Sequence, residues 1–313
     1  MSCDLSSGLT ITFTAEDACG NVTNCSRTVY LNDMQNPTIT CPAMDLVLEC
    51  GVDNYLTEIA AWIATATATD ACDASPAITT DWNGTDVPAL SCDLSAGLTI
   101  AFTATDDCGH TAVCSRTVYL DDTQEPTITC PAHLTVQCDE STDPLDTGSA
   151  TATDACDPMV AISSSDVVAN GACPQEYSIT RTWTATDACG NETTCVQTIE
   201  VIDDIPPTFD PSCQFMPLNL YTNDGYDCPA EAEISLEVGD ILTTSDTWMV
   251  AGFMVPSLSG CLFDNCSADS EIRAEVEEIA VDDTALPCER TITVSFRLRD
   301  ACGNEQPTLF VCI

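Results

Sequence analysis

Apolar and polar residues alternate along residues 98–105: Leu98, Ile100, Phe102 and Ala104 fall on one face, with Thr99, Thr103 and Thr105 on the other. That is the period of a half-buried β-strand, whose successive side chains point to opposite sides. Ile292, Val294, Phe296 and Leu298 repeat the pattern. Between 124 and 205 the same reading predicts strands over PTITCP (126–131), LTVQC (134–138), SATATD (149–154), VAISSSDVV (160–168), YSITRTWTAT (177–186) and TTCVQTIEVID (193–203). Turn-rich DESTDPLDTG, DACDP, NGACPQ and DACGN separate them. On the last strand Cys195 shares a face with Ile199 and Val201, so it points inward, and Trp183 is buried by the same alternation. Short strands at this spacing predict an all-β sandwich.

The pattern recurs. TFTAEDACGN (12–21), AFTATDDCGH (101–110), TWTATDACGN (182–191) and SFRLRDACGN (295–304) are one phrase repeated, and Cys41, Cys130 and Cys213 each open an interval. A fixed period marks a tandem array. Registering the cysteines divides the chain into the C-terminal half of a module (1–34), module one (35–123), module two (124–205) and an enlarged module three (206–313) with an insertion near 229–260. Each full module carries six cysteine positions: Cys41, Cys50, Cys72, Cys92, Cys108 and Cys114, then Cys130, Cys138, Cys156, Cys173, Cys189 and Cys195, then Cys213, Cys228, Cys266, Cys288, Cys302 and Cys312. Cys261 is surplus, and Cys3, Cys19 and Cys25 match the last three positions.

The 22 cysteines lack paired zinc-type spacing and have only His110 and His133 as co-ligands, so they read as disulfides of a secreted or cell-surface protein. Tracing strand directions puts the first and sixth cysteines at one end of a module and the second and fourth at the other. The expected pairs are Cys130–Cys195, Cys138–Cys173 and Cys156–Cys189, with a local Cys189–Cys195 loop as the rival among fifteen connectivities. There are 50 acidic residues, seven arginines and no lysine, giving a net charge of −43. That charge argues against nucleic acid and anionic membranes as partners and for cations. The lack of lysine also excludes Lys–Asn isopeptide staples. No stretch is long and apolar enough to span a membrane, and MSCDLSSGL has no signal-peptide character. Sequons at Asn21, Asn24, Asn83, Asn191 and Asn265 are candidate glycosylation sites.

A strand opening with C-P, a T-D-x-C turn, T-A-T-D-x-C-G-N and a C-x-x-T-I-x-V-x-D-x-x-P-P exit resemble hyalin repeats (HYR) and HYR-like repeats over residues 1–204. The resemblance implies tandem immunoglobulin-like β-sandwich modules, as in large secreted proteins including surface proteins and adhesins of Bacteroidota-type bacteria. It implies adhesion or a structural role rather than catalysis.

Two stretches depart from the repeat. YLTEIAAWI (55–63) predicts two helical turns with Leu56, Ile59, Trp62 and Ile63 on one side, capping the sandwich edge. The insertion carries Trp248, Met249, Phe253 and Met254, either a local core or an interface with another subunit. No catalytic motif stands out. His110 and His133 read as solvated turn residues, and the aspartates recur too regularly to be one glycosidase pair.

That recurrence is the sharpest chemical signal. Linker acids and the two acidic turns of each module are expected at one end of the sandwich. The sets are Asn32 and Asp33 with Asp70 and Asp106; Asp121 and Asp122 with Asp154 and Asp187; and Asp203 and Asp204 with Asp264 and Asp300. Clustered carboxylates suit Ca²⁺, which takes six to eight oxygens. The plain rival is that these acids only close Asx-turns. Short proline-containing linkers favour a semi-rigid rod. The expected function is therefore an extracellular structural protein, not an enzyme, that forms a rod, fibre or filament by stacking head-to-tail with copies of itself. Its alternatives are an adhesin or polysaccharide-binding array facing surface polysaccharide or other cells, or the non-catalytic stalk of a larger secreted enzyme. The half-module at the start is expected either to complete itself on a neighbouring copy or to continue a longer chain.

Overall fold

A computed structural model of the chain describes residues 8–30, 32–52, 54–210, 235–243, 245–250, 253–255, 261–268, 271–282 and 291–312. The described chain is all-β, with two short helices. The half-module is one antiparallel hairpin, β1 (Leu9–Glu16) and β2 (Val22–Val29).

Module one contains β3 (Thr38–Thr40), β4 (Leu46–Glu49), α1 (Tyr55–Ile63), β5 (Thr67–Thr69), β6 (Ala77–Thr80), β7 (Leu98–Thr105) and β8 (Thr111–Asp121). Its main sheet runs β4-β8-β7-β6, with β4 parallel to β8, and β3 pairs with β5 in a second small sheet. Module two repeats this with β9 (Thr127–Thr129), β10 (Leu134–Gln137), α2 (Pro144–Thr147), β11 (Thr151–Thr153), β12 (Ala161–Asn170), β13 (Tyr177–Thr186) and β14 (Glu192–Ile202). Its sheets run β10-β14-β13-β12 and β11-β9. The strands expected from alternation appear within a few residues of their expected bounds.

Module three holds β15 (Thr208–Phe209), β16 (Ile241–Thr243), β17 (Trp248–Val250), β18 (Phe253–Val255), β19 (Leu262–Phe263), β20 (Arg273–Asp282), β21 (Thr291–Arg299) and β22 (Glu305–Cys312). Its four-stranded sheet runs β16-β20-β21-β22. Here the short first strand β16 pairs antiparallel with β20, whereas β4 and β10 run parallel to the last strand of their module. The insertion supplies β16 and the β17–β18 hairpin, in which Trp248 faces Val255 and Met249 faces Met254 in register. The side chains of Trp248, Met249, Phe253 and Met254 lie outside the described residues.

The chain divides into two compact units: Met1–Thr127 with Thr153–Ala161 and Thr186–Thr193, and Ile128–Ala152 with Ile162–Ala185 and Thr194–Ile313. The division does not follow the repeat. Two turns of module two belong to the same unit as module one.

In module one the buried face of β7 packs Ile100 and Phe102 against Leu48, Val118 and Leu120. Helix α1 closes this core. Its sequence is rich in helix formers, and Ile59, Trp62 and Ile63 recur at helical spacing. Ile59 is fully buried and the Trp62 ring meets Phe102 edge-on at 5.8 Å. Leu56, expected on the same face, is instead 43% exposed. Module two has a smaller apolar cluster of Val136, Ile179, Ile199 and Val201.

Candidate functional site

The recurring D-x-C-G-N turn has one geometry throughout. Asp187 Oδ1 accepts the backbone N–H groups of Cys189 (2.9 Å) and Asn191 (2.8 Å), while Asn191 Nδ2 donates to Asp187 Oδ2 (2.8 Å). Asp17 with Asn21 makes the same set, and Asp300 binds Asn304 at both its N–H and its Nδ2. In module one the ring of His110 replaces the amide, with Nδ1 2.9 Å from Asp106 Oδ2. His110 is thus a turn brace rather than a free solvated ring. His133 is engaged too, since its Nδ1 accepts the Thr198 N–H at 2.7 Å. The glycine of each turn sits at positive φ, Gly190 at 89°, which a side chain would strain.

The T-D-x-C turn is equally regular. Oδ1 of Asp70, Asp154 and Asp264 accepts the N–H groups two and three residues on. These are Asx-turns, so the turn acids do close local backbone. The asparagine of the D-x-C-G-N turn then reaches the linker. Asn191 Nδ2 donates to the Asp122 carbonyl (3.0 Å) and Asn304 Nδ2 to the Asp203 carbonyl (2.7 Å).

The acid sets assemble unequally. Carboxylate oxygens of Asp203, Asp264 and Asp300 lie within 4.8 Å of one another. Asp203 and Asp300 are buried, and Oδ2 of both Asp203 and Asp264 is buried with no hydrogen-bond partner among the described residues. Burial, reinforced by Asp264 and Asp300, pushes the Asp203 carboxyl up to about 6. In the equivalent set, Asp122 and Asp154 group with Cys156, and burial followed by Asp154 and Asp187 raises Asp122 as well. Asp33 and Asp70 group with Cys72, while both oxygens of Asp106 are taken by Cys108, His110 and the His110 ring. Asp121 and Asp204 stand aside: Asp121 Oδ1 accepts the Asp122 N–H, and Asp204 Oδ1 accepts Gln137 Nε2.

The disulfides correct the expected connectivity. First and sixth positions do pair within a module, as Cys41–Cys114 and Cys130–Cys195. Cys138 pairs with Cys266 rather than Cys173, and Cys173 with Cys302. Cys156 pairs with Cys50 rather than Cys189, and Cys189 with Cys92. One rule covers both junctions: the second cysteine of a module joins the third of the next, and the fourth joins the fifth of the next. The backbone explains it. Cys50 N–H donates to the Asp121 carbonyl and Cys138 N–H to the Ile202 carbonyl. The second cysteine therefore sits where its own module runs into the linker, beside the turns of the module that follows. Cys19, Cys25 and Cys72 are free and exposed, whereas Cys108 and Cys261 are disulfide-bonded. Cys3, Cys213, Cys228 and Cys288 lie outside the described residues.

Of the sequons, Asn24 and Asn83 are exposed with no bond from Nδ2 among the described contacts. Asn21 donates to Asp17, Asn265 to Asp139, and Asn191 spends Nδ2 twice.

Residues 126–201 match the family of HYR-like domains with 4 cysteines. A comparison with curated proteins finds no match. Among solved structures, the chain is similar to a protocadherin gammaB4 extracellular domain (11% identity, TM-score 0.29), with 100% of this chain and 57% of that one covered. It is also similar to Drosophila N-cadherin EC1-4 (14% identity, TM-score 0.30), with 99% and 84% covered. Together with the disulfides, the HYR-like match supports an extracellular immunoglobulin-like repeat. No helix among the described residues is long and apolar enough to cross a membrane.

Proposed function

We propose that the chain is a secreted or cell-surface structural and adhesive spacer, whose modules stack end to end as a semi-rigid rod. In that role it associates head-to-tail with copies of itself into fibres or filaments. The observation that carries this reading is the pair of disulfides joining each module to the next: Cys50–Cys156 with Cys92–Cys189, and Cys138–Cys266 with Cys173–Cys302. Two covalent ties beside one short linker leave a junction little freedom to bend, and they do so without the lysine chemistry this chain lacks. Negative-stain imaging of the oxidised chain is expected to give particles of one length. Cys50→Ser with Cys156→Ser is expected to broaden the bend distribution at the first junction alone. Unchanged distributions in that variant would remove the spacer reading.

Ca²⁺ belongs to the same proposal. Asp203, Asp264 and Asp300 fit a hard divalent cation best, because two of their oxygens are buried without a partner among the described residues and their charges repel one another. Bound there, the cation supplies the positive charge that this set lacks. Calorimetric titration with CaCl₂ is expected to show binding that Asp264→Asn weakens at least tenfold. Identical titrations of both proteins would exclude the site.

A further inference from the structure

Modules one and two end their main sheets differently. The edge strand β6 of module one is four residues long, whereas β12 of module two has ten, all of them exposed. The sheet order β10-β14-β13-β12 gives β12 a neighbour on one side alone among the described residues. A long open edge presents a row of N–H and C=O groups that another strand can take. Native edges are blunted by lysine, proline, short length or unpaired charge. AISSSDVVAN has no lysine or proline, and its one acid, Asp166, is paired with Arg181. Ile162, Val167 and Val168 are instead 38%, 67% and 58% exposed.

Local hydrogen bonds determine how a further strand can lie. Gly171 N–H donates to the Glu176 carbonyl at 2.7 Å, and Arg181 donates twice to Asp166 across the pair, at 2.8 Å each. Both fit one antiparallel register, with Val168 opposite Ile179 and Ile162 opposite Ala185. Backbone groups of successive residues then point to alternate sides. Those of Ile162, Ser164, Asp166 and Val168 turn away from β13. Their side chains share the face of Ile179 and Ala185, which are buried. Ile162 and Val168 thus flank a core that stops short of covering them.

The same spacing makes β12 complementary to itself. About a two-fold axis through Ser165 and normal to the sheet, an identical antiparallel strand puts the partner's Val168 opposite Ile162 and the partner's Asp166 opposite Ser164. Apolar side chains meet apolar ones, and a hydroxyl donates to a carboxylate. The four outward-facing backbone positions all fall in hydrogen-bonded pairs. Charge selects the same occupant. A chain of net charge −43 repels its own copies over most of its surface, but residues 158–175 hold one acid, and Arg181 neutralises it. A cationic partner gains nothing from a neutral strip and is drawn to the acidic faces.

We propose that β12 is the interface of a two-fold dimer, pairing antiparallel with β12 of a second copy about Ser165 to form one continuous sheet. This goes beyond end-to-end stacking, because the contact is lateral and its symmetry closes at two chains.

The test uses the whole oxidised chain. One strand pair is a small interface, so sedimentation is read up to about 0.1 mM chain. The expected result is a monomer–dimer equilibrium that tightens as salt screens the acidic remainder. Ser164→Pro removes one outward N–H and spares the bonds to β13. It is expected to weaken the dimer at least tenfold with an unchanged urea midpoint. Ser165→Cys is expected to cross-link to the same position of the second copy under mild oxidation, because facing side chains of a non-hydrogen-bonded pair lie within disulfide reach. Ser163→Cys faces the partner's Val167 and is expected not to; mass spectrometry identifies the linked peptides. If Ser164→Pro shifts the urea midpoint, the two cysteine variants decide alone. A chain monomeric throughout, equal association of native and Ser164→Pro chains, or equal cross-linking at both positions would each overturn the proposal. None of these results bears on junction bending, so the spacer reading stands or falls separately.

Discussion

Residues 98–105 of module one and 179–186 of module two occupy the same strand of the repeat, yet they build different interiors. In module one the inward positions carry Ile100 and Phe102, and α1 lays Ile59 and Trp62 over them. In module two the same two positions carry Arg181 and Trp183, both buried. The covering segment there is only the four-residue α2, so backbone carbonyls face the core instead of a helix side. Gln197, fully buried, donates to the carbonyls of Thr147 (2.7 Å) and Ala132 (3.1 Å). Arg181 donates to the Thr142 carbonyl, to Thr147 Oγ1 and, with two nitrogens at 2.8 Å, to Asp166. Buried carbonyls are costly unless bonded, so the shorter cover demands donors where the longer one permits hydrocarbon. One repeat tolerates both because each satisfies its own backbone.

The most disruptive way to break the comparison is in the apolar interior. Phe102→Ala leaves a cavity under Trp62 and is expected to cost about 4 kcal/mol, read as a shift of the urea midpoint. In the polar interior, Asp166→Ala strands a buried guanidinium. Because the Asp166 side chain is about a third exposed and water replaces part of what it supplies, the change is expected to cost about 2 kcal/mol, and Asp166→Ala combined with Arg181→Leu is expected to recover most of the loss. If the double replacement is as unstable as the single one, the network is not what holds module two.

Acid sharpens the contrast further. Hydrogen bonds and charge from Arg181 hold the Asp166 carboxyl below its ordinary value of 3.8. A depressed folded-state value stabilises the fold fully above that ordinary value, and the contribution disappears as pH falls through the folded one. Lowering the pH below about 4 is therefore expected to narrow the gap between the native chain and Asp166→Ala in urea titrations. A gap constant down to pH 2 would contradict the pairing.

The smallest effect compares two copies of one turn. Asn191 braces the linker through the Asp122 carbonyl, whereas among the described residues Asn21 bonds its own exposed turn alone. Asn191→Ala is expected to cost about 1–2 kcal/mol and Asn21→Ala under ~0.5 kcal/mol. For the same reason, expression in a glycosylating host is expected to give glycan at Asn24 and Asn83 and none at Asn191 in folded protein, read by peptide mass mapping.

Local pattern carried most of the fold. Alternation placed β13 at Tyr177–Thr186, helical spacing placed α1 at Tyr55–Ile63, and inward phase put Cys195 where it meets Cys130. The turn acids were legible too, because Asp-x-Cys and Asp-x-Cys-Gly-Asn close backbone within five residues. What no local pattern carries is which chain end a cysteine meets. Cys138 and Cys173 sit at the same end of module two, but their partners are 128 and 129 residues away, in the turns of the next repeat. Alternation gives a side chain its face of the sheet and says nothing about the neighbour beyond the sheet's end. The same limit governs the acids. The sequence by itself determined that Asp203, Asp264 and Asp300 recur with Asp122, Asp154 and Asp187. Only the tertiary structure decided that Asp203 and Asp264 keep a buried oxygen without a partner, because burial is set by everything packed around a group and not by the turn that carries it.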